Sequence, residues 1–322
     1  EKDYFIGKAQ SLYFGGGTPS LAPVSILSET ISFLPHHDDA EITVEINPGD
    51  ISAQQLKSLK KVGVNRYSIG VQSFLPNYAR LLNRSHTIND NHTLLKEVRA
   101  IQPKSWSMDI IFALPEQSIE ELRWDIDQAL RHAPPHISIY GLTVEEGTPL
   151  YRSVQAGKTT PLEDDRWAEQ FHYIMTRLKQ EGYVQYEISN FAREGHRSRH
   201  NEHIWKNGFY AGLGPGAHGF RPTGNRTQQK SQWKSWKSCD HLHVENPSKS
   251  QALYDLIITS LRHIDGLSLL DIERAGYTLP PKHIEQLQRQ DWIFVQKNRI
   301  VLTKNGKCFA DGIARKIIQN ID

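Results

Sequence analysis

Cysteine is almost missing from this chain: 322 residues hold two, Cys239 and Cys308. A disulfide framework is excluded, and so sparse a use of thiols fits a reducing compartment, here expected to be the cytoplasm. Two thiols are also too few for a three- or four-cysteine metal site within one chain, so no metal ligands are assigned to these residues. Long apolar runs are missing as well. None approaches the roughly 18 residues of a membrane span, and the opening Glu1-Lys2-Asp3 lacks the character of a signal peptide. Charge of one sign is in short supply too, since 38 basic residues face 36 acidic ones for a net +2. No overall field argues for nucleic acid or an anionic membrane as partner. At this length the usual ~100–200 residues per domain predict one large domain with a smaller one attached.

What is present is an alternation. Short β-rich runs at 11–14, 41–46, 66–71, 107–112 and 136–140 are separated by amphipathic runs at 24–34, 52–62, 89–101 and 119–133. Helix ends are legible in places: Ser52 stands where an N-cap belongs and Gly63 follows the last turn. Strands that alternate with helices pair in parallel through crossovers, which predicts an α/β barrel or open sheet. In such folds functional groups gather at the carboxyl ends of the strands.

Polar residues do collect there. The first strand runs into Gly15-Gly16-Gly17-Thr18-Pro19-Ser20, where missing β-carbons would let a ligand approach the backbone. It is not a P-loop, because no Lys-Ser/Thr follows, and Ser20 stands where a dinucleotide fingerprint needs its third glycine. As a sequence it serves equally well as a tight strand-to-helix turn. Glu45 and Asn47 end the second strand and Gln72 and Ser73 the third, although Asn47-Pro48-Gly49-Asp50 is also a good turn and Gln72 could cap the next element. Asp109 lies within an apolar strand, where an acid costs free energy unless paired or bound.

Taken in order, Gly-Gly-Gly-Thr-Pro-Ser, Val44-Glu45-Ile46-Asn47-Pro48, Ser68-Ile69-Gly70-Val71-Gln72-Ser73-Phe74, Asn83-Arg84, Met108-Asp109-Ile110-Ile111 and Leu114-Pro115 resemble the radical S-adenosylmethionine proteins of the oxygen-independent coproporphyrinogen III oxidase family. The resemblance runs from about Ser11 to the C-terminus. It implies a partial (β/α)6 barrel with a [4Fe-4S] cluster and S-adenosylmethionine at its open mouth. By matching motifs, Gly16, Gly17 and Thr18 would line the S-adenosylmethionine site. Glu45, Gln72, Arg84 and Asp109 would supply its polar contacts, with Thr143 at the mouth through Tyr140-Gly141-Leu142-Thr143. The family's Cys-x3-Cys-x2-Cys cluster loop has no counterpart here. The expectation is that the chain as given begins after that loop and so lacks the barrel's first strand.

Residues 163–180 read as a core-packing helix and 183–189 as a further strand. Beyond it, Arg193, His196, Arg197, Arg199, His200 and His203 crowd ahead of Trp205. A solvated basic loop would look the same, but interleaved His, Arg and aromatic residues suit a flat, anionic, metal-containing ligand such as haem. Within the family, Arg199-His200-Asn201-Glu202-His203-Ile204-Trp205 is similar to the His-Asn-x-x-Tyr-Trp signature of the haem chaperone branch. His200, Asn201 and Trp205 match, and Ile204 replaces the Tyr. The resemblance therefore implies haem as ligand and an acceptor haemoprotein as partner, membrane-associated acceptors included, with no residue assigned as catalytic. The competing enzyme reading is an oxygen-independent coproporphyrinogen III dehydrogenase acting on propionates.

Residues 210–219 are glycine-rich, suiting either close approach to a ligand or closure of the fold, and residues 222–246 read as a polar linker. From 252 on, helices at 252–263, 267–274 and 281–289 precede strands 292–296 and 299–302, a winged-helix-like order. The would-be recognition helix is poor in basic residues, so nucleic acid is not expected as a partner. The domains so read are 1–160 as the barrel, 161–225 as its extension with the His/Arg/Gly-rich loops, and 226–322 as linker and winged-helix-like domain.

Overall fold

The computed structural model describes residues 7–232 and 242–321. Two compact units divide the chain between Ser198 and Arg199, a point that falls inside the segment 161–225 read as a barrel extension.

In the first unit, strands β1 (Ala9–Phe14), β2 (His36–Ile46), β3 (Arg66–Gln72), β4 (Ser105–Phe112) and β5 (His136–Gly141) pair in parallel. Strands β7 (Asn190–Ala192) and β6 (Val184–Gln185) add antiparallel, giving the order β1-β2-β3-β4-β5-β7-β6. Helices α1 (Val24–Phe33), α2 (Ala53–Lys61), α3 (Pro76–Leu81), α4 (Ile88–Ile101), α5 (Ile119–Arg131), α6 (Pro149–Gln155) and α7 (Asp164–Gln180) come between them. Side chains on a strand alternate between faces. One set, Ile42, Val44, Ile46, Tyr67, Ile69, Met108, Ile110, Ile137 and Ile139, is apolar and buried. The helices add Leu56, Leu59, Leu94, Leu95, Leu122 and Ile126 to this core. Reciprocal capping boxes at Ser52/Gln55, Thr87/Asp90 and Ser118/Glu121 start three of these helices, each satisfying amide donors that a helix N-terminus leaves open.

The alternate set is polar yet also buried: Glu41, Thr43, Arg66, Ser68, Ser105, Ser107, His136 and Ser138. These residues share the other face of the sheet, where most of them bond to neighbours and the Thr43 hydroxyl does not. Arg66 lies 3.8 Å from Glu41 and donates to Ser105 Oγ at 3.1 Å and to the His196 carbonyl at 3.2 Å. Ser198 Oγ donates to Glu41 Oε1 at 3.1 Å, and His136 Nε2 meets the Tyr186 hydroxyl at 2.8 Å. Residues 193–198 thus run across the amino end of the strands and close it with hydrogen bonds.

Several element boundaries differ from the sequence reading. The run 183–189 holds only the two-residue β6 and the turn that leads to β7, in which Glu187 accepts from the Ser189 N–H at 2.8 Å. Helices α3 and α6 were not foreseen; each begins with a proline at a first-turn position, where its missing N–H costs nothing.

In the second unit, α8 (Arg199–Trp205) leads to an antiparallel sheet of β8 (His218–Phe220), β9 (Arg226–Gln229) and β10 (Leu242–Glu245). The segment 222–246 read as a polar linker therefore contributes two paired strands. Its tryptophans, Trp233 and Trp236, lie outside the described residues. Then follow α9 (Lys249–Arg262), β11 (Leu267–Ser268), α10 (Leu269–Arg274), α11 (Pro281–Arg289), β12 (Ile293–Gln296), β13 (Arg299–Leu302) and α12 (Ala310–Gln319). The sheet order β11-β13-β12 with flanking helices is a winged-helix arrangement. Its first strand, β11, opens the span read as one helix from 267.

Removing Arg66 would leave Glu41 buried with a charge and one partner fewer. Arg66→Ala is expected to destabilise the first unit by about 3–5 kcal/mol, the usual cost of breaking a buried ion pair from one side, measured by urea unfolding.

Candidate active site at the mouth of the barrel

The carboxyl ends of β1 to β5 hold one connected polar cluster. Register explains it: Glu45 stands beside Ser68, Ser68 beside Ser107, and Asp109 beside Ser138 on neighbouring strands. Ser68 Oγ donates to Asp109 at 3.1 Å and meets Ser107 Oγ at 2.9 Å. Glu45 Oε1 accepts from the Tyr13 hydroxyl at 2.8 Å and Oε2 from the Gly16 N–H at 3.0 Å. Gln72 takes a left-handed backbone, φ +68°, at an irregularity in the β3–β4 pairing. Gly70 leaves room for two amides, since a β-carbon there would stand 3.0 Å from both Asn47 Oδ1 and Gln72 Nε2. Asn47 also reaches the Thr18 hydroxyl at 3.4 Å.

Burial sets the electrostatics. It pushes Asp109 from 3.8 up to about 6; the Ser138 and Ser68 hydrogen bonds oppose this rise and the nearby Glu45 charge adds to it. Tyr13 and Tyr140 are held well above the ordinary phenol range, first by burial and then by the field of Asp109 and Glu45. The Arg84 guanidinium lies in the field of Asp109, and its buried Nε has no hydrogen-bond partner in the structure. A buried donor without an acceptor costs free energy that a bound ligand would recover.

The residues expected from sequence are therefore distributed as follows. Gly16, Gly17, Thr18, Glu45, Gln72, Arg84 and Asp109 sit at the carboxyl ends of β1 to β4 or in the loops that follow. Gly16 and Gly17 have left-handed φ of +76° and +61°, with nothing within 4 Å of where a β-carbon would be. Thr143 is exposed, two residues past β5, and no hydrogen bond joins it to the cluster among the described residues. His200, Asn201 and Trp205 lie on α8 of the second unit. Asn201 and Trp205, four apart, share a helix face, and the Trp205 ring carries the Arg262 guanidinium 5.1 Å from its centroid.

Part of the basic run is used by the fold itself. Arg193 stacks on Tyr183 and Arg197 on Tyr186, while His196 Nδ1 contacts Ser105 at 3.1 Å. Two of the later glycines are likewise structural: a β-carbon at Gly212 would meet the His218 carbonyl at 2.1 Å, and one at Gly219 the Thr227 hydroxyl at 2.5 Å. Tyr13, Ser68, Ser138 and Tyr140 were missed as members of the mouth. The signal that could have found the last three is the two-residue polar period shared by 41/43/45, 66/68, 105/107/109 and 136/138/140.

A parallel α/β half-barrel with a glycine turn and acids at its carboxyl mouth defines a class, and the Radical SAM superfamily matches residues 2–129. The coproporphyrinogen III oxidase HemN of Escherichia coli superposes with a TM-score of 0.80 over 96% of this chain and 78% of its own, at 20% identity. Among curated proteins, the heme chaperone HemW of Bacillus subtilis is 31% identical over 94% of this chain and 84% of its own length. "Radical S-adenosyl methionine domain-containing protein 1, mitochondrial" of Danio rerio is 38% identical over 70% of this chain. The chain spans about half, 52%, of the length of that relative. The chain belongs to the Radical SAM superfamily and, within it, to the family of the HemW heme chaperones.

Membership implies S-adenosylmethionine and a [4Fe-4S] cluster, and the residues treat the two differently. The open glycine turn, the unpartnered Arg84 Nε and the acidic pair fit a cationic sulfonium nucleoside. The cluster does not fit: the sequence has two cysteines, and no group of three or more His, Cys, Asp or Glu placed to hold a metal ion occurs among the described residues. No described helix is long and apolar enough to cross a membrane.

An acid whose folded pKa is raised binds its proton more tightly in the native state, so stability falls as pH rises from about 4 to about 6. Asp109→Asn should flatten part of that fall, with Asp125, also raised to about 6 by burial, keeping the rest. Urea midpoints of wild type, Asp109→Asn and Asp125→Asn across this window measure the two shares.

Proposed function

We propose that the complete protein binds haem and passes it to an acceptor haemoprotein, on a scaffold whose barrel mouth binds S-adenosylmethionine. The observation that carries the reading is the likeness to heme chaperones along nearly the whole chain, together with His200, Asn201 and Trp205 on one helix. Haem is cargo here. An imidazole at His200 can ligate iron and the Trp205 ring can pack against a macrocycle.

At the mouth, Gly16, Gly17 and Thr18 would meet the nucleoside through backbone and hydroxyl, while Gln72 and Asp109 suit its hydroxyls and amines. Arg84 would take its carboxylate, and Thr143 would complete the rim. Glu45 and Asp109 add negative charge where the sulfonium would lie. S-adenosylmethionine, when bound, is the radical source in this superfamily, but that chemistry also needs a cluster these 322 residues cannot ligate. No radical step, and hence no coproporphyrinogen dehydrogenation, is assigned to them. The structural likeness to the oxidase, at 20% identity, speaks for the fold alone.

Haem titration of the protein should give a Soret shift, with His200→Ala binding about tenfold more weakly, or roughly 1.4 kcal/mol. An unchanged titration would remove His200 from the haem site. Arg84→Ala, and Asp109→Asn, which keeps an acceptor for Ser68, should weaken S-adenosylmethionine binding in calorimetry, and unaltered affinity would move the nucleoside elsewhere.

A further inference from the structure

Glu45 spends both carboxylate oxygens on the protein, one on the Tyr13 hydroxyl and one on the Gly16 N–H. Tyr13 belongs to β1 and Gly16 to the turn that leaves it, so a carboxylate from β2 fastens a strand to its own exit loop. Gly15 lies between, with no room for a side chain: a β-carbon there would stand 2.7 Å from Tyr13 Cε1 and 2.9 Å from Glu45 Oε1. Over the next two glycines the space is open. The turn is held on one side and bare on the other.

We propose that Tyr13 is a positioning residue of the mouth: its hydroxyl fixes the Glu45 carboxylate, which holds the Gly16 N–H and so sets the turn on which an adenosyl nucleoside rests. The inference rests on the reading of the mouth as an S-adenosylmethionine site. A glutamate turns about three bonds and an isolated one samples many rotamers, whereas a tyrosine on a strand, with Tyr13 paired to Thr43 on β2, is fixed by its ring. A hydroxyl bonded to a half-buried carboxylate is a short, directional, charge-assisted contact. Take the hydroxyl away and the carboxylate keeps one anchor, itself on a glycine, the residue least able to hold it. The turn then loses its preset shape, and a ligand must order it on binding.

The experiment uses the full chain with Tyr13→Phe, which keeps the ring and its packing. Glycine-selective ¹⁵N labelling reads amide exchange residue by residue, and calorimetry reads S-adenosylmethionine affinity. The Gly16 amide is expected to exchange about tenfold faster. The helix-end amides of Gly63 and Gly182, bonded to Lys60 and Lys179, should not change, nor should the melting temperature. Affinity should fall about tenfold. Glu45→Gln, whose amide nitrogen cannot accept, should speed Gly16 exchange alike, and the double variant should be no worse than the worse single, as expected for one coupled unit. Unchanged Gly16 exchange in Tyr13→Phe, equal acceleration at all three glycines, or wild-type affinity in the variant would each overturn the role of Tyr13. A wild-type protein that ignores S-adenosylmethionine while Gly16 still responds overturns the cofactor reading and leaves the clamp standing.

Discussion

A curved sheet with polar side chains on its concave face has to satisfy them among themselves. That constraint shapes the first unit. The parallel strands β2 to β5 contribute polar residues at alternate positions, and Glu41, Thr43, Arg66, Ser68, Ser105, Ser107, His136 and Ser138 are buried. Leaving even one such group without a partner costs about 1–3 kcal/mol. Near the amino ends of the strands most of the demand is met within the protein, by Arg66, Glu41, Ser105, His136 Nε2 and the crossing segment that carries His196 and Ser198, with His136 Nδ1 left over. Near the carboxyl ends it is met only in part. Asp109 retains a raised pKa and Arg84 an unpartnered Nε, and this is the end with open space over the glycines.

This division separates stability from function along the same strands. Residues two apart on β3, Arg66 and Ser68, face the same way, yet the first pairs with the closing segment and the second supports the acid at the mouth. The same holds on β2, where Glu41 is locked by Ser198 and Glu45 holds the glycine turn. A parallel sheet permits this because its strands all point one way, so their carboxyl ends share one rim.

The alternation of strands and helices was legible because apolar periodicity is a local property, and Ser52 marked one helix start; the caps at Thr87 and Ser118 emerged only in the structure. The mouth was legible as far as motifs reached: Glu45, Gln72, Arg84 and Asp109 were placed at strand ends or the loops after them. What escaped depends on registry between strands. Tyr13 reads as one more apolar residue of a β-run, and only the pairing of β1 with β2 brings its hydroxyl to Glu45. Residues 222–246 escaped for a related reason, since short polar strands such as Arg226–Gln229 are recognised by their partners and not by their composition. The structural use of Arg193 and Arg197 was not legible either, because cation–π contacts to Tyr183 and Tyr186 join residues that the sequence keeps apart.

The family's two cofactors make different demands on a chain. A nucleoside is held by many weak contacts spread over several strand ends, so the mouth can keep its shape without a metal: the turn is fastened by Glu45, the acid by Ser68 and Ser138. A cluster is held by a few thiolates concentrated in one loop, and its ligands are present together or not at all. The polar mouth is built from hydrogen bonds between strands that also hold the sheet together, so its shape is inseparable from the fold. On that physical ground, the shape of the mouth is a property that these residues carry by themselves, whereas a cluster would need thiolates they do not contain.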